Sequence, residues 1–400
     1  MSYPRRLSGM AAARVRYGVR ADRIAEFFSE GDALADAAVT ALRELPGGQA
    51  RQLLERALQH GIDAVEAPPP ALVALFRQLE HVPFWVDHER CTHGGEVFYR
   101  CGPFGGMALG FGALARAYCS SGGNKPLTLT GALIDRTPAR IANTGNFMCA
   151  VSARDGLLLR APGFCAAVQV RLMHARIRTG LLAKSSWRSD DWGVPINQAD
   201  TALTALLFSH GFAGFVRKLG VHVSAEEEAD LVHLWRYAGY LMGVREELLC
   251  ATVAEAQQLA EIVDMIDAGP DDDSRRLLEP LLERRPSELA VRSERVGRFV
   301  QRLFTAACRD MIGDAFADRV GLPFGPGDLG FRYVFRPTIS LLNRAQRRIP
   351  GAAERGMRAG ERYWAAVGVD AGVTEPVKGW GPDGSAGGAG ERRRSPGNNL

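Results

Sequence analysis

Residues 165–184 read Cys-Ala-Ala-Val-Gln-Val-Arg-Leu-Met-His-Ala-Arg-Ile-Arg-Thr-Gly-Leu-Leu-Ala-Lys. The run is too long for a strand and holds no proline, so it predicts a single helix, with Pro162-Gly163 just before its start. Inside it, Arg171, His174 and Arg178 stand three and four residues apart and share one helical face. Two guanidinium groups around one imidazole on an otherwise apolar helix must each meet a partner. The identity of those partners decides how the rest of the chain is read.

Outward from this helix, apolar residues keep the same 3.6-residue period. Residues 22–60 predict two amphipathic helices, with Ile24, Phe27 and Phe28 on one and Leu53, Leu54 and Leu58 on the other. Pro68, Pro69 and Pro70 make a stiff break, and residues 82–87 an aromatic turn. Thr137-Pro138 opens a helix to about Arg154, as N-cap and first helical residue. Asn197 caps a helix whose apolar face includes Leu203, Leu206, Leu207 and His210. Ser224 with Glu227 forms a capping box for a helix carrying Leu231, Leu234, Trp235 and Leu241. Further helices are expected over 253–266, 274–279 and 295–316. Strand alternation is confined to 95–100 and 330–335, and the Gly/Pro/Ser/Arg-rich stretch 375–400 reads as a disordered tail. The expected fold is all-α: an N-terminal helical extension over 1–80 and a single large helical domain over 81–350.

Composition narrows the function classes. At 46% hydrophobic and 24% charged residues, the 400-residue chain is ordinary globular material. A net charge of +4 is too small to suggest a nucleic-acid binder. The seven cysteines are scattered, and the spacing of His88, Cys91 and His93 fits no standard zinc motif. Reduced thiols in a cytoplasmic protein are the simplest account. The N-terminal residues show no signal-peptide pattern: the apolar run after Arg5-Arg6 stops at Arg14. The most apolar segment, residues 103–119, falls short of the roughly 20 residues of a membrane helix, which leaves peripheral membrane contact as its membrane role.

Among motifs, Gly110-Phe-Gly-Ala-Leu-Ala115 matches a dinucleotide fingerprint but lacks a preceding strand and a βαβ frame. Gly102, Gly106 and Gly110 instead suit close approach of a helix to a neighbour or cofactor. Ser152 and Ser209-His210 lie in no nucleophile elbow. A single histidine on an apolar face is most often a core imidazole bonded to a backbone carbonyl, and that applies singly to His174, His210 and His233. Together they admit another reading. A haem needs an axial imidazole, small residues where the ring packs, apolar walls and cations for its propionates. His210 with Gly211 and Gly214 supplies the first two, and Arg171 or Arg178 the last. Spacing alone leaves haem as one option among several.

At these residues the chain resembles the DUF2236 proteins, the oxygenases grouped with the latex clearing protein (rubber oxygenase) and the MpaB-type oxygenase. The resemblance rests on Pro83-Phe-Trp-Val-Asp87, Pro126-Leu-Thr-Leu-Thr-Gly131, Arg171-Leu-Met-His-Ala-Arg176, the stretch from Trp192 to Asp200, Thr204-Ala-Leu-Leu-Phe-Ser209 and the stretch from His233 to Gly243. It implies a globin-like helical core that binds haem b and an enzyme that uses dioxygen on a hydrophobic substrate. In the rubber branch a histidine ligates iron. His210 matches that position, while a shift of one helical turn puts Leu206 there instead. His174 falls near the rubber branch's distal lysine. The resemblance therefore implies His210 and His174 as iron-facing residues and Arg171 beside propionate or bound oxygen; the absent secretion signal departs from the rubber branch and favours an intracellular isoprenoid or lipid-like substrate over rubber. The alternative is a non-catalytic carrier or sensor with two axial imidazoles, or a helical protein whose haem site has decayed.

Overall fold

Residues 3–129, 137–282 and 294–366 are described by a computed structural model, and among them all regular structure is helical. The helices start where local chemistry supplies caps. Asp32 accepts from the Ala35 amide ahead of the Ala33–Arg43 helix. Asp87 accepts from the Glu89 and Arg90 amides ahead of His88–Met107. Asn197 accepts from the Asp200 amide ahead of Gln198–Phe208, and the Ser224–Glu227 box opens Ala225–Leu241. Each cap satisfies amides that the first helical turn leaves unpaired. The stretch that opened the sequence reading is helical over Pro162–Leu182, with Pro162 in the first turn.

The core is continuous from the N-terminal third onward. Val39, Leu42, Leu72, Leu75 and Phe76 share a buried cluster with Phe98, Phe164, Leu172, Trp235 and Leu241. A second cluster joins Phe27 and Phe28 to Leu203, Leu206, Val232 and Ile262. The N-terminal strap is pinned electrostatically as well. The Arg6 side chain is buried, and its guanidinium bonds Asp200 at 2.8 and 2.9 Å and Asp267 at 3.1 Å. Residues 1–80, set apart by the sequence as an extension, thus supply partners to the centre of the molecule.

The structure corrects several expectations. Residues 22–60 hold parts of three helices, Val19–Glu26, Ala33–Arg43 and Gln49–His60, because the turn at Glu30-Gly31-Asp32 carries its own cap. The strand-like stretches are helical: 95–100 lies inside His88–Met107, and 331–335 forms one wide turn of π-helix. The apolar segment 103–119 is largely turned inward, with Ala108, Leu109, Phe111, Ala113, Ala115 and Tyr118 buried. The glycine reading holds in part. A Cβ at Gly106 would collide with the Tyr363 ring and one at Gly102 would touch Gly360, so these positions admit the Ala352–Ala366 helix, whereas Gly110 faces open space. No helix among the described residues is long and apolar enough to cross a membrane. The expected tail, 375–400, lies outside the described residues.

Candidate functional site

The partners of Arg171 and Arg178 are two carboxylates at the start of the Ala33–Arg43 helix, its cap Asp32 and Asp36 in its first turn. The Arg171 Nε donates to Asp32 Oδ2 at 2.6 Å and its Nη2 to Asp32 Oδ1 at 3.1 Å, a bidentate fork. A third nitrogen reaches the Gln78 side chain and the Leu241 carbonyl. The two side chains are 3% and 9% exposed, so this is a buried ion pair. Two helical turns on, Arg178 donates to Asp36 at 2.7 and 2.9 Å and to the Ile196 carbonyl at 2.9 Å. Asp32 therefore caps one helix and neutralises another with the same carboxylate.

His174 stands between the two arginines and lines a chamber with Asp32, Arg171, Arg178, Ile196, Gln198, Thr201, Met242 and Gly243. The chamber encloses about 10 Å³, room for one water. Burial and the Arg178 charge push the His174 imidazole down to about 4, against the pull of Asp32, so it is neutral at physiological pH. The walls are held under constraint. Ile196 has φ of 50°, a left-handed conformation that β-branched residues rarely adopt. Gly243 has φ of 81°, and a Cβ there would run into the Asp32 carboxylate and the Arg171 guanidinium. Gln198 stitches the wall together, donating to the Gly31 and Gly243 carbonyls at 3.0 Å each and accepting from the Arg245 amide at 2.8 Å.

His210 occupies a different environment. The preceding helix ends at Phe208, Ser209 takes φ −112° and ψ −95°, and His210 begins the His210–Lys218 helix. It therefore does not continue the apolar face of Leu203, Leu206 and Leu207, as the unbroken spacing had suggested. Its Nδ1 meets Glu228 Oε1 at 2.7 Å, and Arg217 holds the other Glu228 oxygen at 2.5 Å. Burial alone would raise the Glu228 carboxyl, but the bonds from His210 and Arg217 prevail and hold it below its ordinary value. With Nδ1 engaged by a carboxylate and the imidazole 27% exposed, Nε2 is the ring nitrogen left to meet a ligand. Gly214 faces open space, and a Cβ at Gly211 would touch the Leu206 carbonyl and the Phe215 ring. His233 is a core imidazole: its Nε2 accepts from the Asp87 amide at 3.0 Å, and its ring meets the edge of Trp85.

The sequence scheme for haem is met unevenly. The donor set at His210 suits an axial ligand, a ring nitrogen oriented by a buried carboxylate. The rest does not fit. Both arginines assigned to propionates are consumed by Asp32 and Asp36, the His174 chamber is far smaller than a porphyrin, and that chamber does not include His210. No cluster of three potential metal ligands occurs among the described residues. Asp32, Asp36, Gln198, Gly243 and Glu228 were absent from the sequence-level site. Of these only Gln198 was near a sequence signal, the cap at Asn197.

Comparison with known proteins agrees with this fold. A family model described as "ER-bound oxygenase mpaB/B'/Rubber oxygenase, catalytic domain" matches residues 101–344. The rubber oxygenase of Streptomyces sp. (strain K30) is 25% identical over 280 residues, covering 65% of this chain and 64% of that protein's length. A solved structure of the latex clearing protein LCP in the closed state has a TM-score of 0.63 at 21% identity, covering 84% of this chain and 90% of that one. At that identity the likeness speaks for the fold.

Proposed function

Because the chain belongs to the family of MpaB/B′ and rubber-oxygenase catalytic domains, we propose that it is an oxygenase that uses dioxygen on a hydrophobic, isoprenoid or lipid-like substrate, with haem b bound through His210. The observation that carries the cofactor assignment is the His210–Glu228–Arg217 relay, which lies inside the matched region. When bound, haem supplies the one-electron and dioxygen chemistry that side chains lack.

The chain's own residues have narrower tasks. Glu228 accepts a hydrogen bond from Nδ1–H, fixes the His210 tautomer and raises the basicity of Nε2. Arg217 keeps Glu228 ionised and in place. Arg171 and Arg178 tie the Pro162–Leu182 helix to Asp32 and Asp36, and neutral His174 can accept or donate one hydrogen bond to a small molecule in its chamber. The family resemblance assigns His174 and Arg171 to the oxygen-handling side. In this conformation they act on something no larger than a water. The seven unpaired thiols support a reducing, cytoplasmic setting.

Protein produced with ample iron and haem precursor should show a Soret band and consume dioxygen when given a polyisoprenoid oligomer. A colourless preparation that still consumes oxygen with that substrate contradicts the reading. The second reading, a haem carrier or a decayed site, is favoured by the paired arginines and the small chamber. It predicts either no haem or a low-spin ferrous spectrum that carbon monoxide leaves unchanged.

A further inference from the structure

Apart from the proposed cofactor site, the surface carries an unusual concentration of apolar and basic side chains. Residues 331–349 contain five arginines and no acid, although the whole chain nets only +4. The segment runs as the wide turn Phe331–Phe335 continuing into the Arg336–Arg347 helix. One face is anchored: Phe331 is buried, and Phe335 and Ile339 pack on the core. The flank beside it is apolar yet faces solvent. Val334, Leu341 and Leu342 are 65%, 70% and 53% exposed and recur at seven- and eight-residue spacing, which puts them on one side of the helix. Ile349 extends the stripe just beyond the helix. Arg344 and Arg348 are exposed beside it, with no carboxylate partner among the described residues.

We propose that this face docks onto an anionic phospholipid surface, with Val334, Leu341, Leu342 and Ile349 entering the acyl boundary and Arg336, Arg344 and Arg348 meeting the headgroup phosphates. An amphipathic helix of high apolar asymmetry whose polar flank is arginine-rich is the form that lies in a bilayer interface. Two other occupants fit the charges less well. A two-fold contact with a second copy would set Arg336, Arg344 and Arg348 against the same three residues of that copy. Residues 367–400 balance four acids against four bases and offer no net attraction. Docking of this kind places the protein where a hydrophobic substrate dissolves, but it stands independently of the haem assignment, because vesicle binding needs no cofactor.

The test is co-sedimentation of the full chain with vesicles of equal phosphatidylcholine and phosphatidylglycerol, against phosphatidylcholine alone. The wild type should pellet with the mixed vesicles, stay in solution with the neutral ones, and be released by salt. Leu341→Glu with Leu342→Glu should abolish pelleting. Arg344→Gln and Arg348→Gln should each weaken partition about fivefold. These side chains are exposed, so all variants should melt with the wild type, and that melt is the folding control. A wild type that ignores anionic vesicles, or leucine variants that pellet undiminished, would overturn the proposal. So would a wild-type dimer that the leucine changes convert to monomer in sedimentation velocity while vesicles are ignored.

Discussion

His174 and His210 are two imidazoles under opposite electrostatic regimes. His174 sits between two guanidinium groups in a small chamber, where burial and the Arg178 charge suppress protonation. His210 starts a helix at the edge of the core, with a carboxylate on Nδ1 and partial exposure. The first environment makes a neutral ring whose surroundings are spent on holding the fold. The second holds the ring through Nδ1 and leaves it partly exposed. What separates them is where the negative charge lies: Asp32 and Asp36 compensate the arginines around His174, whereas Glu228 addresses His210 directly. A histidine's neighbours, more than its helix, decide whether it is available for chemistry.

That contrast can be broken by removing the carboxylates one at a time. Asp32→Ala leaves the buried Arg171 guanidinium without its fork and should cost about 3–5 kcal/mol in urea unfolding, the largest effect expected. Asp36→Ala should cost less, about 1.5–3 kcal/mol, because the Asp36 side chain is 27% exposed and water can replace part of what Arg178 loses. Equal losses for the two would refute the idea that the His174 region is held mainly by its buried pair.

A smaller effect sharpens the comparison through pH. In the unfolded chain His174 protonates near its ordinary 6.5, and in the folded chain only near 4. Between those values the unfolded state binds more protons, so this residue's contribution to stability is complete above pH 6.5 and is lost as pH falls toward 4. His174→Gln should flatten the wild-type slope across that window. An unchanged slope would mean that the imidazole is not held neutral.

Much of the fold was legible in the sequence because helix starts are written locally. Asn197 before Asp200, and Ser224 before Glu227, are three-residue signals, and the Val253–Ile266 helix lies where its apolar period placed it. The site was legible only in part. The face shared by Arg171, His174 and Arg178 followed from spacing. Its partners did not, because Asp32 and Asp36 are 139 and 142 residues away and meet the arginines only through packing. His210 was misplaced for a backbone reason: the break at Ser209 has no proline to announce it, Gly211 falls after it inside the next helix, and the apolar pattern runs straight across. Residues 95–100 and 330–335 looked strand-like because a short apolar run carries no period long enough to exclude a helix.

The central claim is tested most directly by measuring haem content, as the pyridine haemochrome, in wild type, His210→Ala and His174→Ala purified side by side. The account predicts haem near one per chain in wild type and His174→Ala, and its loss from His210→Ala with the fold retained. Full haem in His210→Ala, or loss only in His174→Ala, would contradict it.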